Sequence, residues 1–200
     1  MASSPIPISA PDVRLVLQTP RLELVAATLA LIEAEVAGAE HLAALLKAEV
    51  ETWPPPGNDE NSLRWTLEKL QAHPKNAAFH VWYVILAEQE RRTLIGLEAF
   101  KGPPDEAGTI EAGYSINEKF QRQGIGTEAT RAIMRWAFEN PAVRVITAET
   151  FPELGPSKKV MQRCGMSFLG DGSESGTVRY GVTREEFSQF LETLAEPGAR

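Results

Sequence analysis

Polar and apolar residues alternate along Arg21-Leu22-Glu23-Leu24-Val25, which predicts a strand with one buried face. The period changes at Thr28, a residue able to cap a helix that runs to about Ala37 and stops at Gly38. An Ala/Leu-rich stretch predicts a second helix over Glu40–Ala48, and Trp53-Pro54-Pro55-Pro56-Gly57 then forces a turn, because proline fixes φ and removes a backbone donor. Polar residues between Asn58 and Asn61 can cap the next helix, whose Leu63, Leu67 and Leu70 recur on one face and which His73-Pro74 closes. His80–Glu88 is rich in β-branched and aromatic residues and forms, across a charged turn at Gln89–Arg92, an antiparallel hairpin with Leu94–Phe100. The loop Lys101–Gly108 leads to a third strand, Thr109–Ile116.

After Gln121–Thr127 a helical period returns through Phe138, with Ala129, Ile133, Trp136 and Ala137 on one face and Asn140-Pro141 as its stop. Val143–Thr150 alternates as a strand, and Pro156–Cys164 reads as a short helix with Gly165 at its C-terminal cap. Met166–Leu169 and Val178–Val182 predict the last two strands, and the capping-box spacing of Thr183 and Glu186 opens a final helix to about Leu194. Residues 1–18, rich in Ser and Pro near the start, are expected to form a flexible lead-in, 19–196 a single domain, and 197–200 a tail.

Composition narrows the class. The 200 residues are 43% hydrophobic and 24% charged, enough apolar material for one sizeable core and unlike a disordered or collagen-like chain. The lone cysteine, Cys164, excludes an intrachain disulfide and a Cys-rich zinc site, and the expected compartment is the reducing cytoplasm. Twenty basic against 27 acidic residues give a net charge of -7, which disfavours nucleic-acid and anionic-lipid partners and favours a cationic one. The longest apolar run, Ala77–Ala87, is interrupted by His80 and is far shorter than the roughly 20 residues of a membrane helix. No export signal is read at the N-terminus, where prolines and the charges of Asp12 and Arg14 break any apolar stretch.

The informative segment is Gln121-Arg122-Gln123-Gly124-Ile125-Gly126-Thr127, between a strand and an amphipathic helix. Glycines there let backbone N–H groups approach an anion, and the following helix adds unsatisfied N-terminal donors, so the stretch is a candidate diphosphate cradle to which Arg122 adds a charge. The alternative is a plain strand-to-helix turn. Two nucleotide motifs fail: no lysine precedes Thr127 as a phosphate loop requires, and no third glycine completes a dinucleotide fingerprint.

What fits is the Gln/Arg-x-x-Gly-x-Gly/Ala pattern of the GCN5-related N-acetyltransferase (GNAT) superfamily, which the chain resembles at Gln121/Arg122–Gly126. Thr19-Pro20-Arg21-Leu22-Glu23-Leu24 resembles that superfamily's opening strand, Glu111-Ala112-Gly113-Tyr114 its fourth strand, and Ser157–Met166 its second motif. Within it the chain looks most similar to the Rim-type branch of ribosomal-protein N-terminal acetyltransferases. The resemblance implies an α+β, three-layer fold with a mixed, mostly antiparallel sheet, splayed between its fourth and fifth strands and flanked by helices. The order of predicted strands and helices agrees.

The resemblance further implies acetyl-CoA as co-substrate, bound in the splay, with no metal. By position, the main chain of Tyr114, Ser115 and Ile116 would bind the pantetheine arm and thioester, and Arg122, Gln123, Gly124, Ile125, Gly126 and Thr127 the pyrophosphate. The expected activity is direct transfer of acetyl to a primary amine, either a protein N-terminus or a small amine. The alternative is a non-catalytic acyl-CoA-binding or regulatory protein of the same fold. An amine attacks only when unprotonated, so a base is needed, and Glu111 is the candidate, or else a glutamate on a solvent-facing strand. Ser157 is a candidate acid for the departing thiolate, or a first-turn residue bonded to backbone. The tyrosine common at the family's second motif is replaced by Met161, and the asparagine of Rim-type relatives by Leu154. His41, His73 and His80 have no partners at metal spacing, and Cys164 is expected to be buried and inert. The tryptophans Trp53, Trp65, Trp82 and Trp136 are mostly core by pattern, although Trp53 can line an acceptor pocket. That pocket is expected from Ala39–Asn61 and the loop Lys101–Gly108, and a homodimer through C-terminal sheet edges is possible.

Overall fold

Strand alternation buries side chains on both faces of a single nine-stranded sheet in the computed structural model, which describes residues 14–195. In chain order the elements are β1 (Val16–Gln18), β2 (Leu22–Ala26), α1 (Leu29–Ala37), α2 (Ala39–Leu46), β3 (Glu49–Val50), α3 (Glu60–Ala72), β4 (Val81–Glu88), β5 (Arg91–Phe100) and β6 (Thr109–Ile116). Then follow α4 (Ile125–Glu139), β7 (Val145–Thr150), α5 (Gly155–Arg163), β8 (Ser167–Asp171), β9 (Val178–Thr183) and α6 (Arg184–Ala195). Short 3-10 helices cover Pro74–Phe79 and Glu118–Phe120. The strand order is β1-β2-β4-β5-β6-β7-β9-β8, antiparallel except where β6 meets β7 and where β3 joins β5. This is the mixed, mostly antiparallel sheet flanked by helices that the sequence predicts.

Two cores sit on opposite faces. Leu22, Leu24, Trp82 and Val84 face α4, α5 and α6, whereas Val25, Tyr83 and Ile85 face α1, α2 and α3. In β5 the register against β4 shifts so that Val84 pairs with Gly96 and Ile85 with Leu94. The extra residue, Ile95, reverses the alternation, which is why Leu94 and Leu97 both face the α1–α3 core although three positions separate them. Glu98 is fully buried on the other face, bonded by the Thr130 hydroxyl, and burial pushes its carboxyl well above the usual range.

The helix signals act as read. Thr28 Oγ1 accepts from Leu31 N at 3.3 Å, Asp59 and Ser62 form a capping box on α3, and Glu186 closes one with Thr183 on α6. Several boundaries differ. β1, within the stretch assigned to the lead-in, pairs antiparallel with β2 from Val16↔Val25 to Gln18↔Glu23, so ordered structure begins before residue 19. The lead-in residues before 14 and the tail from 196 lie outside the described residues. Ala77–Phe79, apolar enough to read as strand, completes the 3-10 turn that starts at Pro74. The hairpin turn shrinks to Gln89-Glu90, with Gln89 at φ 53°, because Arg91 and Arg92 extend β5, where their guanidinium groups pair with Glu49, Glu51 and Glu23.

β3 was not foreseen. Lys47, at φ 52°, ends α2 and turns the chain so that Glu49 and Val50 lie along Thr93 and Leu94, the part of β5 that β6 leaves open. Among the described residues, no helix is long and apolar enough to cross a membrane.

Candidate functional site

β6 and β7 run parallel only from Thr109↔Val145 to Ala112↔Ala148. Beyond that point β6 keeps β5 on one side, and Gly113–Ile116 have no strand on the other, while β7 continues to Thr150 beside β9. The sheet therefore opens into a wedge at Gly113, with unpaired main-chain groups along its β6 wall.

The turn after β6 leads into α4 through two left-handed residues, Arg122 at φ 60° and Gly124 at φ 78°. No side chain caps the α4 N-terminus, so the first N–H groups of the helix, from Ile125 to Thr127, are left for an outside acceptor. A side chain at Gly124 would be strained by its backbone and would reach Arg21 Nη2 at 3.6 Å. Ile125 itself is buried in the core, so only its main chain faces the turn. Gln121 Nε2 donates to the Ile116 carbonyl at 2.8 Å and Gln123 Nε2 to the Lys119 carbonyl at 3.1 Å, which ties the turn to the end of β6.

A latch that pattern reading missed holds this turn from the far edge of the sheet. Glu128, in the first turn of α4, accepts the Thr19 hydroxyl at 2.6 Å, the Arg21 N–H at 3.1 Å and Arg21 Nε at 2.7 Å. Arg21 Nη1 also donates to the Gln123 carbonyl at 3.0 Å. Burial opposes ionisation of Glu128, but these donors outweigh it and hold the carboxyl below its ordinary range. The family resemblance marked Thr19–Leu24 and Gln121–Gly126 separately, and no spacing in the sequence joined the two through Glu128.

A cleft of about 760 Å³ runs from the wedge across the α1–α3 face of β5 and β6. Glu111, Tyr114, Ser115 and Ser157 line it; Ile116 and Arg122–Thr127 do not, and lie at the α4 end of the wedge. The residues singled out in the sequence thus divide into one group along the cleft and another at the N-terminus of α4.

Along the cleft, the side chain of Glu111 is 21% exposed and pairs with Lys101 Nζ at 2.5 Å, so it is neither free nor solvent-facing. Ser115 Oγ donates to the Pro56 carbonyl at 2.6 Å, pinning the proline loop over β6. Tyr114 turns to the opposite face, where its hydroxyl donates to the Ser157 carbonyl at 2.8 Å and lies 3.0 Å from Ser157 Oγ. Burial raises the Tyr114 phenol above its ordinary value. This hydroxyl pair stands beside Met161, which is buried and lines the cleft where relatives carry a tyrosine. Leu154 is 48% exposed.

Other expectations are redistributed. The cleft wall includes the Trp53–Asn58 loop, but also α1 and α3, and the Lys101–Gly108 loop contributes only Lys101. Trp65, expected in the core, is 42% exposed and stands edge-on to His80 at the cleft wall, with ring centroids 5.7 Å apart. Cys164 is buried, its thiol pushed up to about 12 by burial, and unsuited to nucleophilic chemistry. Among the described residues no group of three or more His, Cys, Asp or Glu side chains is placed to hold a metal ion.

A family model for the acetyltransferase (GNAT) domain matches residues 14–167, the stretch that holds the wedge, the turn and α4. The chain belongs to the GNAT family. Among curated GNAT relatives, the uncharacterized N-acetyltransferase YjdG of Bacillus subtilis is 31% identical over 87 residues, covering 44% of this chain and 51% of that protein. The match thus spans about half of that relative's length. A GNAT-family acetyltransferase from Bacillus anthracis superposes with a TM-score of 0.56 at 22% identity, covering 86% of this chain and 99% of that one. RimL, a ribosomal L7/L12 alpha-N-protein acetyltransferase solved in complex with coenzyme A, superposes with a TM-score of 0.58 at 18% identity, covering 84% and 98%. These structural likenesses show the GNAT fold.

Proposed function

We propose that this GNAT chain is an acetyl-CoA-dependent N-acetyltransferase that passes acetyl directly to a primary amine, with no acylated enzyme residue. The observation that carries this reading is the parting of β6 and β7 after Ala112 and Ala148, which joins a cleft on one side to an uncapped helix N-terminus on the other. The residues fit the co-substrate. Gly124, Ile125, Gly126 and Thr127 would hold the pyrophosphate through main-chain N–H groups, with Arg122 and Gln123 exposed beside them. The main chain of Tyr114, Ser115 and Ile116 would bind the pantetheine arm and orient the thioester carbonyl, whose developing negative charge needs fixed donors.

Glu111 would take the proton that the amine loses as its nitrogen bonds to the carbonyl carbon and the carbon–sulfur bond breaks. The sulfur leaves with the electron pair. Ser157 Oγ, backed by the Tyr114 hydroxyl, would donate a hydrogen bond to that thiolate. With its phenol raised by burial, Tyr114 would keep its proton, so the pair acts as a donor dipole rather than as an acid.

The acceptor would be a protein N-terminus or a small amine, reached over the α1–α3 face. Should a dimer form, β8 is the C-terminal one of the sheet's two edges, with Phe168 and Leu169 59% and 57% exposed. The test is calorimetric titration with acetyl-CoA and coenzyme A, together with release of free thiol in the presence of a panel of amines. Binding with thiol release supports the transferase. Binding without release selects the non-catalytic acyl-CoA binder, for which Met161 in place of a tyrosine and the exposed Leu154 speak. No binding removes both.

A further inference from the structure

Glu35 reaches the cleft wall from α1. Its two carboxylate oxygens accept the Tyr83 hydroxyl at 2.6 Å and the Trp53 indole N–H at 2.8 Å. These neutral donors fix the group without balancing its charge. Among the described residues no lysine or arginine pairs with it, and burial pushes its carboxyl above the ordinary range despite both bonds. A carboxylate half-buried without a counter-ion is costly, and a cation from outside the chain would offset that cost. Of the two rings beside it, Tyr83 is fully buried, whereas Trp53 lines the cleft and offers a face that also suits a cation.

The rest of the cleft points the same way. Six carboxylates line it, Glu35, Asp59, Glu60, Glu111, Glu149 and Glu174; Glu60, Glu111 and Glu149 already pair with Arg64, Lys101 and Arg179, which leaves Glu35, Asp59 and Glu174 without a cationic partner among the described residues. An independent group adds a further acceptor. His80 is 4% exposed, its Nδ1 is buried with no hydrogen-bond partner, and it lines the same cleft. Burial, helped by Lys69, keeps its imidazole below the ordinary value and therefore neutral at physiological pH.

The two groups sit at different depths. Tyr83, which holds Glu35, pairs with Leu97 and thence with Ser115, whereas the His80 carbonyl bonds Phe100, which pairs with Ala112. These rows are three residues apart along β6, or about 10 Å. Gly113 lies between them, lines the cleft, and would carry a Cβ into open space.

We propose that the acceptor is a small aliphatic diamine or polyamine, with a distal ammonium held by Glu35 beside the Trp53 ring while another amine reacts over Gly113 beside Glu111. This deepens the acetyltransferase reading and rests on it. A molecule with many N–H donors and no acceptors matches a wall of carboxylates and an imidazole nitrogen. An amino acid or a peptide would bring carboxylate or carbonyl oxygens against them.

The test compares n-butylamine, 1,4-diaminobutane and a short peptide with a free N-terminus in the thiol-release assay, and titrates 1,4-diaminobutane into the coenzyme A-loaded protein. The diamine is expected to exceed the monoamine in kcat/KM by at least about tenfold, and Glu35→Gln to weaken diamine binding by at least about tenfold with coenzyme A affinity unchanged. Equal use of the two amines, preference for the peptide, or an unaltered diamine affinity in Glu35→Gln overturns the proposal. If Glu35→Gln does not fold, Glu35→Asp decides: a carboxylate set back by one methylene should shift the preferred diamine to a longer one, and an unshifted optimum overturns the assignment. Absence of thiol release with every amine sinks the transferase reading instead, and the titration still shows whether Glu35 binds the cation.

Discussion

The two ends of the opening in the sheet are built by different means. At the α4 end, a turn of consecutive residues presents main-chain N–H groups, and the side chains of the helix behind it, Ile125, Ala129 and Ile133, are spent on the core. At the α1–α3 end, side chains converge from α1, the proline loop, α3, β4 and the start of the loop after β5. Main-chain recognition needs only a backbone path, which a short run of glycines can encode. A side-chain pocket needs the whole fold to bring its members together, and so it can change in evolution one residue at a time while the other end stays fixed.

The contrast predicts separable defects. Glu111→Gln is expected to lower kcat by about 100-fold, the lower end of the usual range for general base catalysis, with the calorimetric affinity for acetyl-CoA unchanged. An unchanged rate would take Glu111 out of the mechanism. Gly124→Val should do the reverse at the α4 end, raising the Kd for coenzyme A at least about tenfold, because a β-branched residue resists the left-handed backbone there. If Gly124→Val binds coenzyme A normally, the turn is only a turn. Arg21→Ala, which breaks the latch from a distance, should weaken coenzyme A about threefold while leaving the acceptor KM alone; an equal effect on both would show that the two ends are not independent.

The smallest effect concerns stability rather than binding. Burial disfavours the charged form of Glu149, yet donors from Ser173, Arg179 and Thr177 outweigh it and hold the carboxyl at about 2. The folded value is below the unfolded one, so this contribution is complete above the ordinary carboxylate range and fades as pH falls toward about 2. Glu149→Gln should therefore flatten the acid side of the stability curve, as followed by urea unfolding between pH 5 and pH 2.5. A wild-type slope in the variant would mean that another group sets acid sensitivity.

Reading the chain alone went furthest where information is local. Thr28, Asp59 and Glu186 act within three residues of themselves, and strand alternation showed which side chains face a core. The Arg122–Thr127 turn was legible for the same reason. β3 escaped because two residues have no periodicity, and the hairpin turn was misjudged because its arginines look like loop until Glu23, Glu49 and Glu51 are brought beside them. Trp65 escaped the core because α3 places it at the cleft wall, where His80 rather than the sheet interior meets it. Glu35 is one more polar residue in an Ala-rich helix until Tyr83 and Trp53, 48 and 18 residues away, turn their donors toward it.

The latch between Thr19, Arg21 and Glu128 has a kinetic side. Its bonds close loops of 107 and 109 residues, whose entropic cost is met only after the intervening helices and strands have condensed. Completion of the proposed anion site is thereby tied to a long-range step of assembly. A chain emerging from the ribosome would reach the α4 turn before that turn could hold a ligand, and coenzyme A added during refolding should slow unfolding more than it speeds folding.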